Sequence, residues 1–209
     1  MPQATQAALE QRNWIATGLE VRKKESGGNM ITGYAVKWEE LSLQLGNWYK
    51  FRERFRKGAF SDSIGTDDQR ALWSHDTSQV LGRRKNNTLR LEEDDIGLRF
   101  EIDLPDTTLG KDAHESIRRG DVDGVSFGFR MNKEEWDESD PTNIIRTVLK
   151  ANLIEVSPVA FPAYEGSSEV STRSQDEPYK RYREQSTKEK AEQAKPDLLR
   201  KRLDMNTRF

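Results

Sequence analysis

Two histidines and no cysteine occur in the chain, so nucleophilic, acid–base or metal chemistry has few residues to draw on. Thiolate catalysis, disulfides and Cys-ligated zinc are excluded together. His75 closes the short apolar run Ala71-Leu72-Trp73 within Ser74-His75-Asp76, where a turn can expose an imidazole on a held backbone. His114 sits among Lys111, Asp112, Glu115 and Arg118 and reads as a surface residue of a charged helix. In Gly124-Val125-Ser126-Phe127-Gly128-Phe129, a period of two puts Val125, Phe127 and Phe129 on one face and Ser126 and Gly128 on the other. That second face presents a hydroxyl beside a residue without a side chain, which leaves room for a substrate backbone. Glu155 lies in Asn152-Leu153-Ile154-Glu155-Val156-Ser157-Pro158, an apolar strand with no adjacent base, so its carboxylate needs a partner.

Ser126, His75 and Glu155 are the residue types of serine hydrolysis, in which the hydroxyl gives its proton to an imidazole oriented by a carboxylate. The same residues also suit blander roles. A strand contact can select a small Ser126, and Glu155 can pair with an arginine across the sheet. A metallohydrolase is disfavoured because the chain has neither HExxH nor cysteine.

These residues need elements to hold them. Strand-like stretches cover Leu19–Val21, Met30–Trp38, Trp48–Phe55, Ala71–Trp73 and Val80–Gly82. Thr88–Glu92 and Leu98–Ile102 flank Asp94-Asp95-Ile96-Gly97 and predict a hairpin. Ala59–Ile64 suits one helical turn. A longer helix is predicted where Leu109, Ala113 and Ile117 recur every four residues, capped by Thr107 or Thr108 and stopped by Gly120. Two further strands, Val125–Met131 and Thr147–Val156, flank a polar loop at Lys133–Asn143, with Pro158 and Pro162 ending the second. The expected core is mainly β (α+β), with seven or eight strands.

Of the 209 residues 33% are hydrophobic and 33% charged, and the formal net charge is −2. That balance predicts a folded core at residues 17–164, a flexible polar arm at 1–16, and a polar linker from 165. An amphipathic helix is expected beyond the linker, where Ala191, Ala194, Leu198, Leu199 and Leu203 keep helical spacing. No basic excess calls for nucleic acid, no apolar run approaches a membrane span, and no cofactor is implied. The expectation is a soluble intracellular protein.

In order and wording, several segments resemble the prohead maturation proteases of tailed bacteriophages. They are Gly33-Tyr34-Ala35, Glu53-Arg54-Phe55 with Gly58-Ala59-Phe60, Ser74-His75-Asp76, the charged helix ending at Gly120, Gly124–Phe129, and Leu153–Ser157 followed by Pro158 and Pro162. The resemblance implies a β-barrel-like core related to the herpesvirus assembly protease, with surrounding helices. It implies a serine endopeptidase acting inside the immature capsid in the host cytoplasm. The major capsid protein and scaffold would be its substrates, and finally the enzyme itself, with room for self-association. His75 matches the family's histidine and Ser126 its nucleophile. The herpesvirus enzymes use a second histidine as third member, where this chain offers Glu155. By analogy the turn at Pro162–Tyr164 would supply oxyanion donors. The alternative is a non-catalytic scaffold or capsid-assembly protein with a protease-like fold.

Overall fold

In the computed structural model the described residues are 8–14, 19–25, 27–46, 48–160 and 176–188. They divide into two units, one of residues 1–44 and 51–167 and one of residues 45–50 and 168–209. The larger unit is mainly β. Its strands are β1 (Leu9–Trp14), β2 (Glu20–Lys23), β3 (Asn29–Lys37), β4 (Arg52–Phe55), β5 (Arg70–Trp73), β6 (Asp76–Arg83), β7 (Leu89–Glu93), β8 (Gly97–Asp103), β9 (Gly124–Asp137) and β10 (Ile145–Val159). Its helices are α1 (Ser61–Thr66) and α2 (Thr108–Arg119).

One sheet runs β1-β9-β10-β5-β6, with β4 also on β10, and the second runs β2-β3-β8-β7. The long β9–β10 pair organises the first sheet. β10 takes β9 antiparallel on one edge, and β4 and β5, both parallel, share its other edge. The predicted inward face of β9 is realised, since Val125, Phe127 and Phe129 are fully buried. The rings of Phe55, Phe60, Phe127 and Phe129 lie 5.4–6.4 Å apart, mostly edge to face, a geometry that favours the ring quadrupoles. Ile31, Ala35, Leu98, Phe100 and Ile102 from the second sheet join the same core.

The predicted hairpin is β7–β8. The predicted helix is α2, with the Thr107 hydroxyl accepting from Gly110 N–H and Gly120 ending it at φ 80°; the left-handed residue costs glycine little. Three boundaries differ from expectation. The polar loop begins later, because β9 continues to Asp137. Pro158 does not end β10, which runs on to Val159. Residues 1–16, expected to be a loose arm, contain β1. Its inward Glu10 and Arg12 are charged, so no hydrophobic period announces the strand.

In the second unit residues 176–188 are helical, where composition alone suggests linker as far as 185. The Asp176 carboxylate accepts from Trp48 N–H and Tyr49 N–H at 3.2 Å, and the Tyr179 ring lies 5.3 Å from that of Tyr49. The helical spacing from Ala191 to Leu203 falls outside the described residues. Among the described residues no helix is long and apolar enough to cross a membrane.

Candidate active site

Three local features bring the predicted residues to one place, beginning with the turn between β5 and β6. Trp73 pairs with Asp76, so Ser74 and His75 form a two-residue hairpin loop, with φ of 51° and 63°. Such loops need positive φ at both central residues and normally use Asn-Gly. Holding a serine and a histidine there costs on the order of 1 kcal/mol each. Contacts to β10 hold the turn: Ser74 N–H donates to the Pro158 carbonyl at 3.2 Å, and His75 N–H donates to Ser157 Oγ at 3.2 Å.

The second feature is a bulge in β10. Leu153 pairs with Phe129, but Glu155 pairs with Gly128, so β10 advances two residues while β9 advances one. Without the extra residue, Glu155 would share Leu153's face and point into the phenylalanine core. The bulge turns it to the face of Gly128 and Ser126. Val156 then returns to the core opposite Phe127.

The third feature is Gly128 itself. A Cβ there would lie 2.8 Å from Glu155 Oε1, so the missing side chain makes space for the carboxylate. The sequence expectation assigned that space to a substrate backbone; the structure fills it with Glu155.

Glu155 is 5% exposed. Its Oε1 lies 2.8 Å from His75 Nδ1, and its Oε2 accepts from the Ser157 hydroxyl at 2.5 Å. Both carboxylate oxygens are therefore engaged. The contact assigns the proton to Nδ1, which leaves Nε2 as the basic nitrogen. Asp76, the neighbouring acid, is committed elsewhere: the hydroxyl and N–H of Ser78, with Gln79, hold its carboxyl below the usual range.

Ser126 sits on β9 opposite Ser157 of β10 and Asn13 of β1. It is fully buried, and its hydroxyl donates to the Arg12 carbonyl at 3.1 Å. Among the described residues no hydrogen bond joins it to His75. The structure thus brings His75 and Glu155 into contact and sets Ser126 two residues along the strand from the glycine that faces Glu155. His114 lies on α2 and makes no hydrogen bond to these residues.

Sequence reasoning missed Ser157, which holds both the Glu155 carboxylate and the His75 backbone. The signal was available, because Ser157 follows Glu155 by two residues and so shares its strand face. Pro162–Tyr164, the suggested oxyanion turn, lies outside the described residues. Among the described residues no cluster of His, Asp or Glu forms a metal-ligand set.

Farther along the same ladder is a second buried polar cluster. Arg146 Nη1 lies 2.6 Å from both Glu10 and Glu53, and its Nε lies 2.6 Å from Glu134. Arg12 lies 2.7 Å from both Glu53 and Glu10. Burial works against the Arg146 charge, but Glu53 and Glu10 more than offset it and raise its pKa.

The fold resembles the bacteriophage T4 capsid assembly protease gp21, with TM-score 0.50 and 17% identity over 74% of this chain and 99% of that one. No curated protein sequence matches the chain. The family model described as Caudovirus prohead serine protease matches residues 17–181, a span that holds His75, Ser126, Glu155 and Ser157. The chain belongs to the Caudovirus prohead serine protease family.

Proposed function

We propose that the chain is a serine endopeptidase of prohead maturation, with Ser126 as nucleophile, His75 as general base and Glu155 as orienting carboxylate. The observation that carries this is the 2.8 Å contact between His75 Nδ1 and Glu155 Oε1, held over the strand face on which Ser126 lies. On this reading the two sheets correspond to a barrel of the herpesvirus assembly protease kind.

Nε2 of His75 takes the Ser126 proton as Oγ attacks the scissile carbonyl carbon, while Glu155 stabilises the imidazolium that forms. The imidazolium then protonates the departing amine, and the acyl-enzyme remains on Oγ. Water gives a proton to the same nitrogen and attacks the ester carbonyl, and the imidazolium then returns that proton to Ser126 Oγ as the new carboxyl end leaves. The tautomer needed is the one that the Glu155 contact holds. The substrates are assigned as the capsid protein and scaffold of the immature particle, with the enzyme acting inside it.

Co-expression with the cognate capsid protein tests this reading. The wild-type chain is expected to shorten the capsid protein, and Ser126→Ala to leave it full length. Equal processing by both would return the chain to the class of non-catalytic assembly proteins. Processing stopped by a chelator but unaffected by Ser126→Ala would point instead to a metallohydrolase.

A further inference from the structure

The edge of β9 that carries Ser126 is already occupied. β1 pairs with it antiparallel from Leu9↔Arg130 to Trp14↔Val125, and the Arg12 carbonyl accepts the Ser126 hydroxyl. An extended substrate recruited by strand addition would use the same edge N–H and C=O groups that β1 now pairs. The proton that must pass to His75 is instead committed to a main-chain carbonyl of the chain itself. β1 also lies entirely before residue 17, where the family match begins.

We propose that β1 is a resident, displaceable occupant of the substrate edge, held there by the alternation of an acidic and a basic side chain. The inference rests on Ser126 being the nucleophile. Its physical basis is the charge cluster. Glu10 and Arg12 pair with each other at 2.7 Å, so β1 enters as an internally neutral insert. Once it leaves, Arg146 keeps Glu53 and Glu134, and Glu53 keeps Arg146. Neither side is left with an unpaired buried charge, the condition that makes breaking a buried ion pair costly. The same cradle would read an incoming strand: an acidic residue toward Arg146, and a basic residue two positions later toward Glu53. Withdrawal of β1 or its displacement by such a segment then frees the Ser126 hydroxyl.

The absence of native cysteine gives a reversible test in the full chain. Leu9 and Arg130 are directly opposed, and opposed antiparallel residues lie about 4.5–5.5 Å apart at Cα, within disulfide range. In the Leu9→Cys, Arg130→Cys variant, Ser126 is labelled with a fluorophosphonate, oxidised and then reduced. The oxidised form is expected to label at least tenfold more slowly. A second variant, Arg12→Glu, sets a carboxylate against Glu53 and Glu10 and is expected to speed labelling at least tenfold over wild type. Added to that variant, the peptide Leu-Glu-Gln-Arg-Asn-Trp should slow labelling again. The charge-swapped Leu-Arg-Gln-Glu-Asn-Trp should not, and equal effects of the two would sink the charge reading. Equal labelling of the oxidised and reduced forms overturns the inference and leaves the site reading standing. Labelling that persists in Ser126→Ala overturns both.

Discussion

The β9–β10 ladder buries acidic side chains in two places, and the two places treat them differently. Toward one end Glu10, Glu53 and Glu134 meet Arg12 and Arg146, and every charge faces a permanent opposite charge. Toward the other end Glu155 meets His75 and a hydroxyl. A guanidinium stays protonated throughout the working range, so the first cluster is electrostatically closed and serves to hold strands together. An imidazole can take up and release a proton where a guanidinium does not, so in the proposed mechanism the second pair can pass charge during a reaction. Burial is similar in the two regions. The partner decides whether a buried carboxylate acts as structure or as chemistry.

That contrast can be broken most sharply at Glu155. Glu155→Gln keeps the shape but removes the charge that, in the proposed mechanism, stabilises the imidazolium and selects its tautomer. Turnover is expected to fall by roughly 10³–10⁴, with the fold retained, as read by peptidase kinetics beside a circular dichroism melt. A variant within a factor of ten of wild type would remove Glu155 from the mechanism. At the other cluster the loss should be of stability. Arg146→Met removes one of the two cations that Glu10 and Glu53 share and leaves both carboxylates to Arg12 alone, which is expected to cost about 3–5 kcal/mol in a denaturant titration. A cost below about 1 kcal/mol would mean that the cluster is not closed in the way its distances indicate.

Gly128→Ala is expected to have an intermediate effect. The new methyl would meet Glu155 Oε1 at 2.8 Å, so either the carboxylate or the strand must move. A loss of about 1–3 kcal/mol in stability is expected, together with lower turnover because His75 loses its aligned partner. Unchanged kinetics would show that the glycine serves strand packing alone.

Much of the scaffold was legible because its signals are local. α2 announced itself through Leu109, Ala113 and Ile117 with caps at both ends, and the β7–β8 hairpin through two alternating runs around Asp94–Gly97. The inward face of β9 followed from Val125, Phe127 and Phe129. The orientation of Glu155 was not legible: Leu153 and Glu155 are two apart, and a regular strand would have put both in the core. Only pairing with β9 reveals the bulge, and pairing is a non-local fact. The Ser74-His75 turn lacks the glycine that usually marks such loops. β1 was hidden for a related reason, since Glu10 and Arg12 look like a solvated arm until Glu53 and Arg146 arrive from distant positions. The candidate site residues were legible as types and through family resemblance, whereas their contacts required the fold.

The smallest effect is expected at Ser157, and it separates orientation from charge. Its hydroxyl donates to Glu155 Oε2 and accepts from His75 N–H, so it touches both partners without being one of the groups that exchange protons. Ser157→Ala leaves the Glu155 charge in place and removes one of the groups that aim it. A charge-assisted hydrogen bond is worth somewhat more than a neutral one, yet the net loss should stay near 1–2 kcal/mol. In a chain of this size that is a fall in Tm of about 2–8 °C. Turnover should fall about tenfold with KM unchanged, because the loss concerns the imidazolium formed in the transition state and not substrate binding. A fall in Tm with kcat intact would make Ser157 a packing residue. A loss as large as that of Glu155→Gln would mean that orientation, and not the negative charge, is what the buried carboxylate supplies.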